Sequence, residues 1–328
     1  MKALIVGGSG WVGGTVATLL DEQGWEVVSL SRRGTSVAGA GIRGDVRRPN
    51  LGLTPAEAER VADGLTHVLS CFGSVDWALG PRRALDLHLD GTRNVLAFAE
   101  RCDSLERLVH VSSVLALGRA EGQVGNRELD LGQSFRNWYE YAKHVSEKEV
   151  RERHTLPRRI VRLGDIMGAG GATRPSPRDG LLAPLPFLLR GYPVHMHRGG
   201  DFPIYVGEVG VCAAVLARAL TEEAGGLTWT WFDGAMPTLA EVLIALCSPW
   251  NVVPRLVDVP AMHRLTRWAA PRLGVPRAIL EYAKPWVDID PRVLDQLPAD
   301  LPECPTGYIE RTTEHMQPAI GQAAVGLV

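Results

Sequence analysis

The segment FRNWYEYAKHVSEKEV contains the side chains whose types and spacing best suit proton transfer. Tyr139 is followed four residues later by Lys143, whereas Val145 stands four residues after Tyr141. Residues four apart share one face of a helix, so the Lys143 ammonium would stand beside the Tyr139 phenol. Because a neighbouring cation favours the phenolate, we expect Lys143 to lower the pKa of Tyr139 toward neutral pH, as a general acid or base requires.

A pair of serines supplies a second candidate group for this chemistry. The apolar run RLVHVSS predicts a buried strand that delivers Ser112 and Ser113 at its carboxyl end. Open α/β sheets bind ligands at the carboxyl ends of their strands, so a hydroxyl there can hold a carbonyl oxygen beside the tyrosine. Each motif alone is common; their order behind a glycine-rich first turn is more specific.

That turn comes at the start of the chain, in MKALIVGGSGWVGG. Gly7, Gly10 and Gly13 follow an apolar strand and lead into a helix predicted over 12–23. Such glycines permit a tight turn and a close approach of the backbone to a pyrophosphate, whose charge the helix N-terminus attracts. With 36 glycines in the chain the spacing alone is weak, and its position between strand and helix is what predicts a dinucleotide site.

The second predicted strand ends in Ser31, Arg32 and Arg33. An acidic residue there binds the ribose hydroxyls of NAD and repels a 2′-phosphate, whereas a guanidinium offers several donors to phosphate oxygens. NADP(H) therefore fits the sequence better than NAD(H), unless the two arginines only solvate a loop. After a third short segment, the Asp45 carboxylate in RGDV could accept a hydrogen bond from the adenine amino group.

Strand-like and helix-like segments alternate along most of the chain, which predicts βαβ units in an α/β, Rossmann-type, doubly wound parallel sheet. Two stretches rich in Gly or Pro break this alternation. We therefore expect a dinucleotide-binding domain over 1–165, completed by 206–232, and a smaller C-terminal substrate lobe formed by 166–205 and 233–328. The predicted strands cover 3–6, 26–30, 67–70, 107–112, 159–163 and 227–232, and the predicted helices cover 12–23, 84–102 and 208–222.

The composition argues against several classes of protein. Apolar residues make up 45% and charged residues 22%, and a net charge of −2 gives no reason to expect a nucleic-acid partner. The five cysteines are dispersed and the His195-x-His197 pair has no neighbouring ligands, so we expect reduced thiols in a cytoplasmic protein and no metal. No apolar run is long enough to span a membrane and no signal peptide is visible; surface membrane contact by 262–274 is a weak alternative.

With these motifs in order, the chain resembles the extended short-chain dehydrogenase/reductase superfamily over roughly residues 1–232. The resemblance rests on GGSGWVG, GDV, LDGTRNVL, VHVSSVLALG, Tyr139-x-x-x-Lys143, VRLGDIMG and FPIYVGEVG. It implies that Tyr139 is the proton donor and acceptor, that Lys143 also binds the nicotinamide ribose, and that Ser113, five residues before Gly118, orients the substrate. The cofactor-binding residues it implies are Gly7, Gly10, Trp11, Val12, Gly13, Ser31, Arg32, Arg33, Asp45, Val46, Cys71, Phe72, His88, Lys143, Leu163 and Ile166.

Two positions depart from the superfamily pattern. His88 stands where Asn is frequent, and Gly164-Asp165 replaces a frequent Pro-Asn whose Asn often contacts nucleotide sugars. The second change weakens a nucleotide-sugar interpretation. The segments LDLGQSFRNWYEYAKHVSEKEVRE and ECPTGYIERTTEHM are instead similar to the branch of fatty-acyl and carrier-bound thioester reductases and related ketone reductases, which implies that the tail over 285–316 closes over an apolar substrate.

These observations predict an NADPH-dependent reductase of a small or carrier-bound ketone, aldehyde or acyl thioester, with a place in secondary metabolism. Two alternatives stay open: a nucleotide-sugar epimerase or dehydratase that retains NAD, and a redox-silent NADP(H)-binding regulatory protein. Ser113 is followed by Val114 rather than by the acid that dehydratases carry, and the complete Ser-Tyr-Lys set argues against a silent protein.

The residues that would contact the substrate are harder to predict. We nominate Phe135 and Trp138 before the tyrosine, Asp165 after the sixth predicted strand, and the loop over 195–202. Aromatic residues beside a buried helix usually pack in a core, so a structural role is the alternative for each. By resemblance, a homodimer would pair through the helices over 84–102 and 136–152.

Overall fold

The computed structural model describes residues 1–170, 180–258 and 280–314. Its strands are β1 Lys2–Val6, β2 Glu26–Ser31, β3 Ala40–Arg43, β4 His67–Ser70, β5 Arg107–Ser113, β6 Gln123–Val124, β7 Arg158–Leu163, β8 Asp165–Met167, β9 Val194–Met196, β10 Val206–Glu208, β11 Thr228–Trp231, β12 Leu256–Asp258 and β13 Asp288–Ile289. Seven of them form one parallel sheet in the order β11-β7-β5-β4-β1-β2-β3, which confirms the predicted α/β Rossmann-type class.

The helices are α1 Trp11–Glu22, α2 Pro55–Ala62, α3 Pro81–Leu85, α4 Gly91–Ala99, α5 Trp138–Glu152, α6 Leu185–Leu188, α7 Val209–Thr221, α8 Leu239–Cys247 and α9 Tyr308–Glu314. The helix predicted over 84–102 differs from this result, because α3 begins earlier at a proline in the first turn and a π-helical turn, Asp86–Asp90, joins it to α4. Such turns shift the face that a helix presents and recur at functional sites. Here the turn carries His88.

The sheet has an apolar core on each face, as a parallel sheet requires. One core joins β1, β5 and β7 to α1 and α7, and the other joins the opposite faces of the strands to α2 and α4. The register pairs Val6 with Ser70 and Ser70 with His110, so the ends of β1, β4 and β5 lie side by side. Residues that follow these strands therefore meet at one edge of the sheet.

A third apolar core joins both stretches that interrupt the βαβ alternation. It contains Leu182 and Leu188 from the first stretch and Leu243 and Trp286 from the second, packed against Leu115 from the turn after β5. The segment over 294–301 does not belong to this core alone, because Leu294, Leu297 and Leu301 pack against the core between the sheet and α1 and α7. We propose that the predicted domain limits hold with one change: the segment over 294–301 packs partly with the dinucleotide-binding domain.

Candidate active site

A cavity of about 510 Å³ opens at the carboxyl edge of the sheet. It lies where the chain leaves β1, β4, β5 and β7, the edge at which α/β sheets bind their ligands. We call it the cleft. The predicted site residues that line it are Gly10, Trp11, Val12, Gly13, Cys71, Phe72, His88, Ser113, Tyr139, Lys143, Leu163, Asp165 and Ile166.

The glycine turn has the geometry of a phosphate cradle. A Cβ on Gly13 would lie 2.4 Å from the Gly7 carbonyl oxygen, and one on Gly7, where φ is +96°, would lie 2.3 Å from the Cys71 carbonyl oxygen. Gly10 caps α1 without a side-chain hydrogen bond, and the first turn of α1 carries no acidic residue. The positive end of α1 therefore faces the cleft without a carboxylate to compete with a bound phosphate, so the residues present fit a dinucleotide.

Tyr139 and Lys143 lie on one face of α5, as their spacing predicts, and both are buried in the cleft. The expectation that Lys143 lowers the pKa of Tyr139 toward neutral pH is wrong. Burial raises the pKa of Tyr139 above its usual range, and the opposing influence is a hydrogen bond with the Ser113 side chain rather than the ammonium. Tyr139 is therefore a neutral phenol at physiological pH, ready to donate a proton.

Lys143 donates a hydrogen bond from Nζ to the Val111 carbonyl oxygen over 3.0 Å. Burial lowers its pKa to about 8, while the electrostatic influence of Cys71 and Glu147 acts in the opposite direction. The side chain thus carries its charge in most molecules at neutral pH, and loses it in mildly alkaline solution.

The two serines of β5 have different surroundings. Ser112 donates a hydrogen bond over 2.7 Å to Glu147, a fully buried carboxylate that also binds Arg162 over 2.7 Å. Ser113 faces Tyr139, and its Oγ accepts a hydrogen bond from the Leu115 backbone. Ser112 also lines the cleft, but its hydroxyl is bound to the buried Glu147–Arg162 ion pair, so Ser113 is the serine available for a ligand.

His88 also lines the cleft, with its ring edge-on to that of Tyr139 and 5.6 Å from it between centroids. Burial lowers its pKa to about 3, against the influence of a hydrogen bond with the Ser74 backbone. The ring is therefore neutral, and its Nε2 is buried with no protein partner in the described chain. An imidazole in this state can form a hydrogen bond with a ligand.

The predicted residues of the adenosine end lie outside the lining of the cleft. Arg32 and Arg33 are exposed in the loop after β2, while the Ser31 hydroxyl donates a hydrogen bond to the Thr35 carbonyl oxygen over 2.9 Å. Arg47 binds the Asp45 carboxylate through three hydrogen bonds and lowers its pKa, with a smaller contribution from Arg32. The neighbouring Val46 is buried in the core beneath Phe72, and Arg43, which sequence reasoning missed, ends β3 beside this loop.

The nominated substrate contacts divide into two groups. Asp165 lines the cleft and accepts a hydrogen bond from the Leu181 backbone over 3.3 Å. Phe135 packs instead against Tyr141 and His144, and Trp138 is 44% exposed; neither lines the cleft. The loop over 195–202 lies outside the lining as well, with Phe202 buried in the third core.

Most side chains at the apolar end of the cleft were not predicted from the sequence, although Trp286 belongs to the tail over 285–316 that the resemblance placed over an apolar substrate. The buried side chains at this end come from the loop after β4, the turn after β5 and two distant segments: Trp77, Leu115, Met167, Leu181, Leu182 and Trp286. A signal existed for Trp77, since it follows a strand that ends at the ligand-binding edge. Trp286 carries no local signal, because only the packing of the C-terminal segment brings it here.

The described residues contain neither a group of metal ligands nor a membrane-spanning helix. Within 1–170, 180–258 and 280–314, no three His, Cys, Asp or Glu side chains are grouped so as to hold a metal ion. Over these same ranges, no helix combines the length and the apolar character needed to cross a bilayer. The suggested membrane contact of 262–274 lies outside the described residues.

Two known proteins are similar to parts of the chain. A Drosophila melanogaster protein named as a fatty acyl-CoA reductase is 25% identical over 134 residues, which are 33% of this chain and 26% of that protein. A dTDP-6-deoxy-L-talose 4-dehydrogenase (NAD(P)+) of Kitasatospora kifunensis is 25% identical over 175 residues, 52% of this chain and 54% of that enzyme. The matches thus span about a quarter and about half of these relatives.

The fold as a whole is shared with solved structures. The terminal R domain from the myxalamid PKS-NRPS biosynthetic pathway superposes with a TM-score of 0.78 at 18% identity, over 98% of this chain and 91% of that one. The NAD-binding family model described as "Male sterility protein" matches residues 8–208, which is more than half of the chain. The chain therefore belongs to this family of NAD-binding proteins, and with it to the extended short-chain dehydrogenase/reductase superfamily that its motifs resemble.

Proposed function

We propose that the protein is an NADPH-dependent reductase of a ketone, aldehyde or acyl thioester. The observation that carries this proposal is that Ser113, Tyr139 and Lys143 lie together in one cleft. This cleft runs from the glycine turn to the apolar end described above, which we call the apolar wall. A dinucleotide at the turn and an apolar carbonyl compound at the wall would meet at these three side chains.

The residues that would hold the cofactor follow from the geometry of the cleft. The glycine turn and the N-terminus of α1 would bind the pyrophosphate, and Lys143 and His88 offer polar contacts farther into the cleft. The exposed guanidiniums of Arg32 and Arg33 would bind a 2′-phosphate, which is why we favour NADPH over NADH. When bound, NADPH supplies the hydride that reduces the carbonyl carbon.

Proton transfer to the carbonyl oxygen is the task of Tyr139. Hydrogen bonds from Ser113 and Tyr139 would polarise the C=O bond, and as the carbon accepts a hydride the Tyr139 phenol would give its proton to the oxygen and become a phenolate. A ketone or aldehyde would yield an alcohol, whereas a thioester would yield a hemithioacetal, whose breakdown to an aldehyde releases the thiol. An alkoxide is more basic than a phenolate, so this transfer is favourable even with the raised pKa of Tyr139. The neutral phenol favours the direction of reduction, since oxidation needs the phenolate as base.

Lys143 would hold the ribose of the cofactor. Its ammonium donates one hydrogen bond to the Val111 carbonyl oxygen over 3.0 Å, and its remaining N–H groups can bond a ribose hydroxyl. Its pKa of about 8 implies that this contact weakens above pH 8, because the ammonium then becomes a neutral amine.

The substrate class is inferred from the apolar wall. Trp77, Leu115, Leu182 and Trp286 bury apolar surface where the group attached to the carbonyl would lie. The local similarity to a protein named as a fatty acyl-CoA reductase supports the same class. The apolar part of a small secondary metabolite or of a carrier-bound thioester would pack against this wall.

A nucleotide-sugar epimerase or dehydratase with retained NAD is the second candidate. The similarity to a dTDP-6-deoxy-L-talose 4-dehydrogenase favours it. The wall argues against it, because the hydroxyls of a sugar need hydrogen-bond partners when they leave water.

The deciding experiment examines the nucleotide first. The purified protein is denatured and any released nucleotide is identified by mass, and nucleotide-free protein is titrated with NADPH and NADH. We expect an empty site that prefers NADPH by about tenfold or more, roughly 1.4 kcal/mol, and NADPH oxidation with octanal, 2-octanone or octanoyl-N-acetylcysteamine. Tightly retained NAD would favour the epimerase, and NADPH binding without turnover on the whole panel would favour the redox-silent alternative.

A further inference from the structure

A buried tyrosine connects the C-terminal segment of the chain to the first turn of α5. Tyr282 is 2% exposed, and its hydroxyl donates a hydrogen bond to Glu140 over 2.7 Å and accepts one from the Asn137 side chain over 2.9 Å. Glu140 directly follows Tyr139 in the chain. The contact therefore joins a residue 142 positions away to the helix turn that carries the proposed proton donor.

The Tyr282 ring belongs to a group of three aromatic side chains. It stacks on Trp77 at a centroid distance of 3.8 Å and an angle of 30°, and it meets Trp286 edge-on at 5.6 Å. The Trp286 indole also donates a hydrogen bond to the Tyr282 carbonyl oxygen over 3.3 Å. We call these three side chains the aromatic wall, because Trp77 and Trp286 line the cleft and Tyr282 stands between them.

The two ends of the Tyr282–Glu140 contact are not equally secured. Glu140 is fully buried and keeps other partners: it accepts hydrogen bonds from the Arg136 side chain over 3.0 Å and from the Arg136 backbone over 2.8 Å. The Asn137 side chain also caps α5 by accepting a hydrogen bond from the Glu140 backbone. Loss of the Tyr282 hydroxyl would therefore leave Tyr139 in place and remove the hydrogen bonds that join the aromatic wall to α5.

The C-terminal segment has a separate anchor farther along. Tyr205 donates a hydrogen bond to the Val287 carbonyl oxygen over 3.0 Å and accepts one from the Ile289 backbone over 2.8 Å. This anchor follows Trp286, whereas Tyr282 precedes it. Trp286 is thus held between two hydrogen-bonded tyrosines. The Arg119–Glu281 ion pair and the hydrogen bond from the His197 backbone to the Ala283 carbonyl oxygen also hold the backbone near Tyr282, so its hydroxyl adds the direct contact with α5.

We propose that Tyr282 is a positioning residue, whose hydroxyl fixes the aromatic wall against the first turn of α5 and so sets the place of the substrate in the cleft. This inference rests on the proposed function. It assigns to Glu140, Asn137 and Tyr282 a role in substrate affinity, while the proton transfer itself stays with Tyr139.

The matched control is Tyr308, a second buried tyrosine whose hydroxyl donates to a carboxylate. It lies at the start of α9, is 5% exposed and binds Asp233 over 3.0 Å, outside the lining of the cleft. Tyr282→Phe and Tyr308→Phe each remove a hydrogen bond to a carboxylate, and Tyr282→Phe also removes the one from Asn137, so we expect both variants to lose thermal stability and Tyr282→Phe to lose somewhat more. Only the first substitution touches the aromatic wall.

The test has two parts: the affinity for the thioester is measured without turnover, and the kinetics of its reduction are then measured with NADPH. The full-length variants are saturated with NADP+, which cannot supply a hydride, and titrated with octanoyl-N-acetylcysteamine; the same compound is then used with NADPH. We expect Tyr282→Phe to weaken binding and raise KM by about tenfold, roughly 1.4 kcal/mol, with kcat and the Kd of NADPH within about twofold of wild type. Tyr308→Phe should leave all four quantities within about twofold.

Equal effects of the two substitutions, or a fall in kcat with unchanged affinity, would overturn the role of Tyr282. The titration also separates this inference from the proposed function. A wild-type protein that binds the thioester and never reduces it would refute the proposed reductase, while a selective loss of binding in Tyr282→Phe would still support the positioning role.

Discussion

The nucleotide side of the cleft is built from residues that directly follow neighbouring strands, whereas the apolar side is assembled from segments far apart in the chain. Gly10 follows β1, Cys71 follows β4 and Ser113 ends β5, so the register of the sheet places all three. Leu182 and Trp286 have no such frame, and Trp77 lies in the loop after β4 rather than directly at the strand end. These side chains depend on contacts with other side chains, and the wall that Trp77 and Trp286 form depends on the contact of Tyr282 with Glu140.

The two sides of the cleft should tolerate substitutions differently. A substitution at the strand ends acts on backbone geometry that many residues share, and one Cβ is enough to disturb it. A substitution in the apolar wall acts on one contact at a time. We therefore expect large, general losses from the nucleotide side and smaller, substrate-dependent losses from the apolar side.

Tyr139→Phe should have the largest effect on activity, because it removes the proton donor where the nucleotide side and the apolar side of the cleft meet. We expect kcat for a carbonyl substrate to fall by about 10² to 10⁴-fold, the usual contribution of a general acid. The Kd of NADPH, measured by fluorescence titration, should change little. Tyr141→Phe is the control, since that side chain lies at the helix surface; full activity in Tyr139→Phe would remove the basis of the proposed mechanism.

Gly13→Ala tests whether backbone geometry defines the nucleotide side. The added Cβ would lie 2.4 Å from the Gly7 carbonyl oxygen, so the turn must move before it can hold a pyrophosphate. We expect the Kd of NADPH to rise by about 100-fold, roughly 2.7 kcal/mol. Gly80→Ala is the control, because a Cβ there meets no atom within 4 Å; equal affinities of the two variants would contradict the cradle.

The double substitution Arg32→Ala and Arg33→Ala tests the preference for a 2′-phosphate. We expect NADPH to bind about tenfold more weakly, roughly 1.4 kcal/mol, because exposed guanidiniums act on the phosphate through water-screened charge. The affinity for NADH should not change. Arg82→Ala, at a side chain that is 93% exposed on α3, controls for the loss of surface charge. A parallel loss for both nucleotides would mean that the loop matters and the charge does not.

Acid should destabilise the nucleotide side, which contains neutral buried histidines. Burial lowers the pKa of His88 and of His110 to about 3 from an ordinary 6.5, so the unfolded chain binds more protons between these values. The free energy of unfolding therefore rises as pH rises from 3 to 6.5. In urea unfolding, His110→Asn should reduce this slope by about 1 kcal/mol per pH unit. An unchanged slope in His110→Asn would contradict the lowered pKa of His110.

The sequence predicts the nucleotide side of the cleft better than the apolar side. The strands, the glycine turn and the Tyr139–Lys143 pair were predictable, because each depends on local spacing and on the common edge of a parallel sheet. The raised pKa of Tyr139 was not, since it depends on burial by the third core, whose segments are distant in sequence. Trp286 reaches the cleft through the Tyr282 and Tyr205 contacts, and no pattern around it records those partners.

The smallest effect is expected at Trp138, which the sequence nominates as a substrate contact. Its indole is 44% exposed, lies outside the lining of the cleft and touches the Tyr141 ring edge-on at 5.6 Å. Trp138→Ala should therefore leave KM within about twofold of wild type, as surface substitutions usually do, whereas Trp286→Ala should raise it because it removes a face of the aromatic wall. A rise in KM for Trp138→Ala as large as that for Trp286→Ala would mean that the substrate extends over the outer face of α5. The apolar side would then be built partly from a helix that the sheet itself positions.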